Sequence, residues 1–281
     1  MLTRAQIQRL AQRNRIGMQA QERDYLQHLL LMLFYARSQA LIFKGGTALR
    51  LVYRGARYSE DLDFSALIGE EPVAAPAHGA DGTRAALSGL WGAVVADLRD
   101  FGAEGELRNV WEGEDGLSFD VSYQGPLYDG RDRSKGKVRI DISLRGEPSV
   151  TRRELVRSEY DDVRPFVVTV LSPEHLLAEK VRALLVRAKP RDLYDVWLMV
   201  EQGVPLDADL IRRKLKLYEM TLTPAVVGAA LARARADWER DLRPLLGQYV
   251  APDVTDRAAA TLLRLAASAS QIDGSADGRG G

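Results

Sequence analysis

Two carboxylates stand one residue apart in the stretch RYSEDLDFS, at Asp61 and Asp63. Side chains alternate between the two faces of an extended strand, so Asp61 and Asp63 would share one face with Ser59. Leu62 and Phe64 would point to the other face, into a core. The Cα atoms of the two aspartates are then about 7 Å apart, and the carboxylates repel each other in a partly dry cleft. Such a pair needs positive charge nearby.

Two kinds of group could supply that charge. A hard cation such as Mg²⁺, with Mn²⁺ as an alternative, is bound by a few carboxylates together with phosphate oxygens. Arginines from the same stretch, Arg50 and Arg57, could instead pair with the aspartates. A third possibility is a plain solvated turn, because Asp-x-Asp is a common chance string.

A glycine pair precedes the aspartates in FKGGTALRL. Gly45 and Gly46 would let the backbone approach a ligand closely, and the N–H groups at the start of the following helix favour phosphate. A phosphate-binding turn just before a metal-binding strand predicts a nucleotide site. The alternative is an ordinary helix start capped by Thr47. The turn is not a P-loop, since Lys44 precedes the glycines instead of following them.

A third carboxylate is needed if two metal ions are to be held. Asp141 is the better candidate, because it lies on the polar face of the alternating segment VRIDISLR, whose other face is apolar. Asp120, on the polar face of LSFDVSY, is the rival. Either aspartate could instead be a solvent-facing strand residue.

Further downstream, a lysine interrupts an apolar stripe. Lys180 lies four residues after Leu176 and four before Leu184, so it projects from the apolar side of a predicted helix. It would either extend to the edge of that stripe or reach an anionic ligand. Asp192 and Asp195 share a face of the next helix; a carboxylate there could position a base, a ribose or the lysine, and Asp192 could also complement the helix dipole.

The whole chain has 281 residues, with 39 lysines and arginines balanced by 39 aspartates and glutamates. This balance excludes bulk attraction to nucleic acid or to an anionic membrane. The chain contains no cysteine and three histidines, so disulfides are excluded and a zinc site is improbable. No signal peptide or membrane span is recognisable, and we expect a cytoplasmic protein.

The elements that must position these residues change in character along the chain. Residues 1–170 mix helical and alternating segments and are predicted to form an α+β domain. Residues 171–270 are helical throughout, and residues 271–281 are predicted to be a disordered tail. Within the first domain, residues 68–83 lack periodicity and are predicted to be a surface loop.

Several strings together resemble the AbiEii/AbiGii family of toxin nucleotidyltransferases, which belongs to the DNA polymerase β-like superfamily. The strings are FKGGTALRL, RYSEDLDFS, RIDIS, AEKVRAL and PRDLYDVW. The resemblance implies a mixed β-sheet flanked by helices, with the helical half completing the NTP cleft. It also implies a role in toxin–antitoxin or phage-defence systems, with an antitoxin encoded nearby that need not form a stable complex.

The resemblance further implies site residues and a reaction. Gly45, Gly46 and Thr47 would hold the triphosphate, and Ser59 would precede the metal carboxylates. Asp61 and Asp63 would hold Mg²⁺. The remaining matches are Lys180 and Asp192, and, more weakly, Asp141 as the third carboxylate. A hydroxyl would attack the α-phosphate of an NTP, and the acceptor in some family members is the 3′ end of tRNA.

Three basic strings favour such an RNA acceptor. They are RDRSKGKVR at 131–139, ARAR near Arg233 and RRKLK at 212–216. Strings of this kind are more often solvated faces. A small-molecule or protein acceptor, and a catalytically silent nucleotide- or RNA-binding module, are the competing interpretations.

Overall fold

The structure is a computed structural model that describes residues 1–67, 79–147 and 149–277. The chain divides into two compact units, Met1–Leu171 and Ser172–Gly281. Among the described residues, every strand lies in the first unit, and the second unit contains only helices and their connections. The α+β class predicted from the sequence is confirmed.

One mixed sheet forms the first unit, with seven strands among the described residues. The strands are β1 (Leu41–Lys44), β2 (Asp61–Ala66), β3 (Glu104–Gly113), β4 (Gly116–Gln124), β5 (Gly136–Ser143), β6 (Thr151–Val156) and β7 (Phe166–Leu171). Their order across the sheet is β3-β4-β5-β2-β1-β7-β6. β1 is parallel to β7 and β2 is parallel to β5, whereas the other neighbours are antiparallel.

Helices pack on the apolar face of this sheet. The helices of the first unit are α1 (Arg4–Asn14), α2 (Met18–Arg37), α3 (Gly45–Leu51) and α4 (Gly79–Ala96), followed by the 3₁₀ helix Asp97–Phe101. The leucines that form the helical stripe of α2 are buried, and Phe34 of this helix stacks on Trp91 of α4 at 4.9 Å between ring centroids. Burying one such large apolar side chain contributes about 1.5–3 kcal/mol, so this layer holds the sheet in place.

The alternating segments of the sequence form strands as expected. In β5, Val138, Ile140 and Ile142 are buried, and Arg139 and Asp141 lie on the opposite face. Because one face of the sheet is covered by helices, the alternation fixes which side chains remain available for chemistry.

Two strands were not predicted from the sequence, β3 and β6. Both are edge strands, and their side chains are mostly exposed. An edge strand with little buried surface carries no clear apolar alternation, which is why the pattern missed them.

The second unit consists of helices. They are α5 (Pro173–Arg187), α6 (Pro190–Glu201), α7 (Ala208–Lys216), α8 (Pro224–Ala236), α9 (Trp238–Leu242) and α10 (Asp256–Asp277), with 3₁₀ turns Arg243–Leu245 and Pro252–Thr255. α5 begins where the Ser172 hydroxyl accepts a hydrogen bond from the His175 N–H, and Pro173 occupies its first turn. Serine caps and first-turn prolines both favour a helix start.

Two segments differ from the sequence expectation. α10 continues through residues 271–277, where a disordered tail was predicted, because the alanine-rich sequence before them carries the helix onward; residues 278–281 lie outside the described residues. Residues 79–83 belong to α4 instead of the predicted loop, and residues 68–78 of that loop also lie outside the described residues. None of the described helices is both long and apolar enough to cross a membrane.

Candidate active site

Asp61 and Asp63 lie on the open face of β2. Leu62 and Phe64 are fully buried on the other face, while both aspartates are half-buried. The strand begins at Asp61, so Ser59 precedes it instead of continuing its alternation. The two carboxylates therefore share a face as the sequence predicts.

Asp141 lies directly beside Asp63. The parallel pairing of β2 and β5 sets Asp63 opposite Asp141 and Asp61 opposite Arg139. Neighbouring strands are about 4.8 Å apart, so the two carboxylates are on adjacent strands of one face. Burial, and next the negative charge of Asp63, raise the pKa of Asp141, although Arg139, whose Nε is 3.5 Å from Asp141 Oδ1, opposes this.

Asp120 lies one strand farther away, opposite Arg139. Its carboxylate accepts a hydrogen bond of 2.8 Å from the Asn109 side chain and lies 3.5 Å from Arg139 and 3.6 Å from Lys137. Burial alone would raise the pKa of Asp120, but these three partners together lower it. Asp120 is thus already compensated, and of the two rival carboxylates Asp141 is the one next to Asp63.

The glycine turn packs against the same carboxylates. Gly45 has a φ of +78°, and a Cβ there would lie 2.0 Å from Asp63 Oδ2. At Gly46 a Cβ would lie 2.6 Å from Arg57 Nη2 and 2.8 Å from Ser59 Oγ. At Gly45 only glycine leaves room, whereas at Gly46 a side chain would require Arg57 and Ser59 to move, so the turn packs closely against the acidic strand.

Thr47 has a different role from the one the resemblance implies. Its side chain is fully buried, and its hydroxyl donates a hydrogen bond to the main-chain oxygen of Asp61 at 2.5 Å. A hydroxyl has one proton to donate, so that of Thr47 ties α3 to the start of β2 and is not directed at a ligand.

Arg50 does not neutralise the aspartates, as one interpretation of the sequence suggested. Its Nε donates to Asp24 Oδ1 at 2.6 Å, and its guanidinium lies 3.5 Å above the ring of Tyr58. Arg139 is a cation on this face, 3.5 Å from Asp141, and sequence reasoning missed it. The available pattern was its place two residues before Asp141 on the same strand face.

Lys180 and Asp192, in the second unit, form two separate ion pairs. Lys180 Nζ lies 2.8 Å from Asp195 Oδ2, with side-chain exposures of 7% and 0%. Asp192 accepts two hydrogen bonds of 2.7 Å from Arg187. Lys180 therefore has Asp195 as its partner, and Asp192 holds the Arg187 guanidinium in the planar two-bond geometry that suits a carboxylate.

The basic strings are less available than their sequence suggests. In RRKLK, Lys214 is buried and pairs with Glu179 at 3.2 Å, and Arg212 is bonded to Asp209 and to the main-chain oxygen of Ala269. In the string 131–139, by contrast, Lys137 is exposed on the face that carries the aspartates. Only part of the predicted basic surface is therefore solvent-facing.

The side chains on this face carry carboxylate oxygens, which are the kind of ligand that a hard cation prefers. Asp63 and Asp141 present neighbouring carboxylates, and burial together with the charge of Asp63 raises the pKa of Asp141. Among the described residues there is no group of three or more acidic, histidine or cysteine side chains arranged as a complete metal site. Mg²⁺ commonly takes one or two carboxylates and completes its shell with substrate phosphates and water, so the two observations agree.

A comparison with protein families decides what this arrangement belongs to. The model of a family described as the nucleotidyl transferase AbiEii toxin of type IV toxin–antitoxin systems matches residues 30–260. The chain belongs to the AbiEii family. The matched region includes both glycines of the turn, the aspartates of β2 and β5, and Lys180. The resemblance inferred from the sequence strings is confirmed, and membership of this family implies a cognate antitoxin.

Solved structures show that the AbiEii chain shares its fold with other proteins. The structure of JHP933 from Helicobacter pylori matches with a TM-score of 0.58 and 17% identity, over 94% of this chain and 98% of that one. MenT4, a nucleotidyltransferase toxin from Mycobacterium tuberculosis, matches with a TM-score of 0.59 and 20% identity, over 95% of this chain and 90% of that one. No curated protein sequence matches the chain closely enough to count as a relative.

Proposed function

We propose that this AbiEii protein transfers a nucleoside monophosphate from an NTP to an acceptor hydroxyl and releases pyrophosphate. The observation that carries the proposal is the carboxylate face, where Asp63 and Asp141 are neighbours and Gly45 packs against Asp63. A glycine turn beside an acidic strand provides close backbone approach and carboxylate ligands in one place.

In this proposal Asp63 and Asp141 hold Mg²⁺ or Mn²⁺, and Asp61, on the same face of β2, is the third candidate ligand. When bound, the metal lowers the pKa of the attacking hydroxyl and offsets the charge of the phosphates. The acceptor oxygen forms a bond to the α-phosphorus as the bond to the bridging oxygen breaks, and pyrophosphate takes that electron pair. Asp141 accepts the hydroxyl proton, a role that its raised pKa favours.

The other residues of the site bind and orient the NTP. The backbone of Gly45 and Gly46 approaches the triphosphate, with Ser59 beside Gly46. Lys180 offsets phosphate charge, and Asp195 fixes the position of its ammonium group. Asp192 acts through Arg187, whose guanidinium it orients. The hydroxyl of Thr47 contributes by fixing α3 to β2 instead of by binding the triphosphate.

We further propose that the acceptor is the 3′ end of tRNA, so that transfer blocks translation in the cytoplasm and serves phage defence. The AbiEii family supports a toxin that modifies a cellular target by nucleotidyl transfer. The cognate antitoxin would neutralise this activity without forming a stable complex. Co-purification of toxin and antitoxin in one complex would contradict that last point.

The test uses ATP, CTP, GTP and UTP labelled in turn at the α-phosphate, with purified protein, Mg²⁺ and total tRNA. We expect one or more labels to enter RNA, and Asp63→Ala to abolish the reaction. Label at the γ-phosphate should appear only in pyrophosphate, which separates nucleotidyl transfer from phosphorylation. Label that enters a small molecule or a protein, and never RNA, would replace the tRNA acceptor with those alternatives.

A catalytically silent nucleotide- or RNA-binding module predicts a different result. Such a protein would bind NTP or RNA without moving label, and Asp63→Ala would keep full toxicity in cells. The acidic face argues against it, because repelling carboxylates bring no benefit to simple binding of polyanions.

A further inference from the structure

β3 contains a β-bulge that changes which residues share a face with the aspartates. Arg108 pairs with Asp120 of β4, but the next pair is Trp111 with Ser118, so three steps on β3 match two on β4. Without the extra residue, position 110 would face Ser118 and Trp111 would point to the opposite side. The bulge therefore places Trp111 on the face that carries the aspartates.

The bulge is held in place by Asn109. This residue has a φ of 52°, in the left-handed region, where asparagine is better tolerated than most residues. Its side chain donates a hydrogen bond to Asp120 Oδ2 at 2.8 Å. The position of Trp111 is thus specified by a defined local structure and not by a mobile edge.

The indole of Trp111 lies flat and open. A Cβ at Gly113 would lie 2.3 Å from its ring, and one at Gly116 would lie 3.8 Å away. Because these two glycines have no side chains, one side of the ring packs over them, while 56% of the residue remains exposed. A large aromatic surface held against backbone and open to solvent is suited to stacking.

Trp111 belongs to the row of residues that contains the aspartates. Across the sheet it is followed by Ser118, Asp141 and Asp63, each in register with the next. Two strand spacings separate its Cα from that of Asp141, a distance of about 10 Å. A molecule that reacts at the aspartates can therefore contact the indole at the same time.

The surroundings of Trp111 favour a polyanion with planar groups. Its neighbours on the face are polar or charged. Lys137, 67% exposed, lies 3.6 Å from Asp120, and Arg139 lies 3.5 Å from both Asp120 and Asp141. The core of a protein–protein interface is depleted of charged residues, whereas Asp120, Lys137 and Arg139 all lie on this face. Unpaired bases that stack on the ring, with phosphates near the cations, fit these residues better.

We propose that Trp111 is a stacking platform for an unpaired base near the 3′ end of the RNA acceptor. The inference rests on the proposed function, because it takes the aspartates as the place where the RNA end reacts. Trp111 takes no part in the chemical step and acts by positioning the strand whose terminal hydroxyl reacts. Its loss should therefore affect RNA binding and the KM for RNA, and leave binding of NTP unchanged.

The test measures binding of a fluorescein-labelled single-stranded RNA to the full-length protein by fluorescence anisotropy. Trp111→Ala should raise the Kd by about 5-fold to 150-fold, the range expected from loss of one base–aromatic stack. Trp111→Phe should keep most of the affinity. Gly113→Ala retains the indole but displaces it from its position over Gly113, so it should also weaken binding.

Leu155→Ala is the matched control. Leu155 is 50% exposed on β6, the opposite edge strand of the same sheet. The Leu155→Ala substitution also removes a large exposed apolar side chain, and it should change neither RNA binding nor the affinity for a fluorescent NTP. Equal RNA affinity of wild type and Trp111→Ala would overturn the platform, as would a wild-type protein that binds no RNA.

Failure of the platform and failure of the proposed function give different results. If the platform is wrong, wild type and Trp111→Ala transfer the α-label to RNA with the same KM for RNA. If the function is wrong, wild type transfers no label to RNA although Trp111→Ala still weakens binding of the labelled RNA. Loss of label transfer to a protein acceptor in Trp111→Ala, with RNA binding intact, would assign the surface to a protein partner instead.

Discussion

Gly45 is the residue on which the contact between turn and carboxylate depends. Its positive φ excludes most side chains, and its missing Cβ is the space that Asp63 Oδ2 occupies. Strain and steric overlap therefore act together at one position. Any side chain there must displace Asp63, the residue that pairs with Asp141.

Gly45→Ala should destabilise the protein by about 1–3 kcal/mol and lower nucleotidyl transfer at least about 100-fold, because Asp63 is displaced. Urea unfolding and the α-label assay measure the two effects. Gly130→Ala is the control, since Gly130 also has a positive φ, +89°, but has open space around it. It should lose some stability and keep activity; equal activity loss in both variants would contradict the steric argument.

Substitutions at Asp141 and Asp120 should have opposite effects on activity and on stability. Asp141→Asn removes a carboxylate whose pKa is raised by burial and by the charge of Asp63, so activity should be lost while stability stays the same or rises. Asp120→Asn removes a compensated carboxylate and should cost about 1–3 kcal/mol with activity retained.

Thermal unfolding with and without Mg²⁺ adds a readout independent of catalysis for these variants. Mg²⁺ should raise the Tm of wild type and of Asp120→Asn, but raise that of Asp141→Asn much less. If Asp141→Asn kept full activity and Asp120→Asn lost it, Asp120 and not Asp141 would be the carboxylate that serves the reaction.

At the level of elements, a buried polar cluster joins α2, α3 and the segment before β7. Asp24 of α2 accepts hydrogen bonds from Arg50 of α3 at 2.6 Å and from the Tyr160 hydroxyl at 2.7 Å, and His28 lies close by. Burial alone would raise the pKa of Asp24, but the charges of His28 and Arg50 and these hydrogen bonds lower it overall. The cluster fixes the helix that follows the glycine turn.

This cluster should make stability fall in acid. The folded pKa of Asp24 is below its ordinary value of 3.8, so the ionised form stabilises the fold above that value and the contribution is lost as pH falls through the folded pKa. Asp24→Asn should cost about 3–5 kcal/mol at pH 7, because Arg50 is left buried without its carboxylate. Its stability should also fall less below about pH 4.

Urea unfolding at several pH values provides the measurement for the cluster. Asp115→Asn, which alters an exposed pair with Arg145, is the control and should change neither stability nor its pH dependence. If Asp24→Asn unfolds with the wild-type pH profile, the Asp24 carboxylate is not the cause of the loss of stability in acid.

At the scale of the whole molecule, each compact unit carries residues that the proposal assigns to the reaction. Asp63 belongs to the sheet of the first unit and Lys180 to α5 of the second. A buried lysine paired with a buried carboxylate is costly to keep without a use, since apolar residues can replace such pairs without loss of stability.

Expression in cells should show whether each of these two residues is required. Wild type should arrest growth, and Asp63→Ala and Lys180→Ala should each abolish arrest, because each removes charge that the proposed NTP reaction uses. Growth curves after induction measure the effect, with thermal melting of each purified variant to show that it folds. Continued arrest by a folded Lys180→Ala protein would restrict the essential residues to the first unit.

The sequence by itself determined the class of fold and the positions of most candidate residues. Strict alternation in β2 and β5 fixed which side chains face away from the core, because one face of each strand must be buried. The strings around Gly45, Asp61 and Lys180 were sufficient to identify the AbiEii family.

Only the tertiary structure decided which residues meet. Strand register made Asp141 and not Asp120 the neighbour of Asp63, buried contacts directed Thr47 and Arg50 to other partners, and Asp195 proved to be the partner of Lys180. The bulge that turns Trp111 toward the aspartates is a difference of one residue in pairing. Periodicity along one segment reports its own faces, whereas register and ion pairs depend on a second segment distant in sequence.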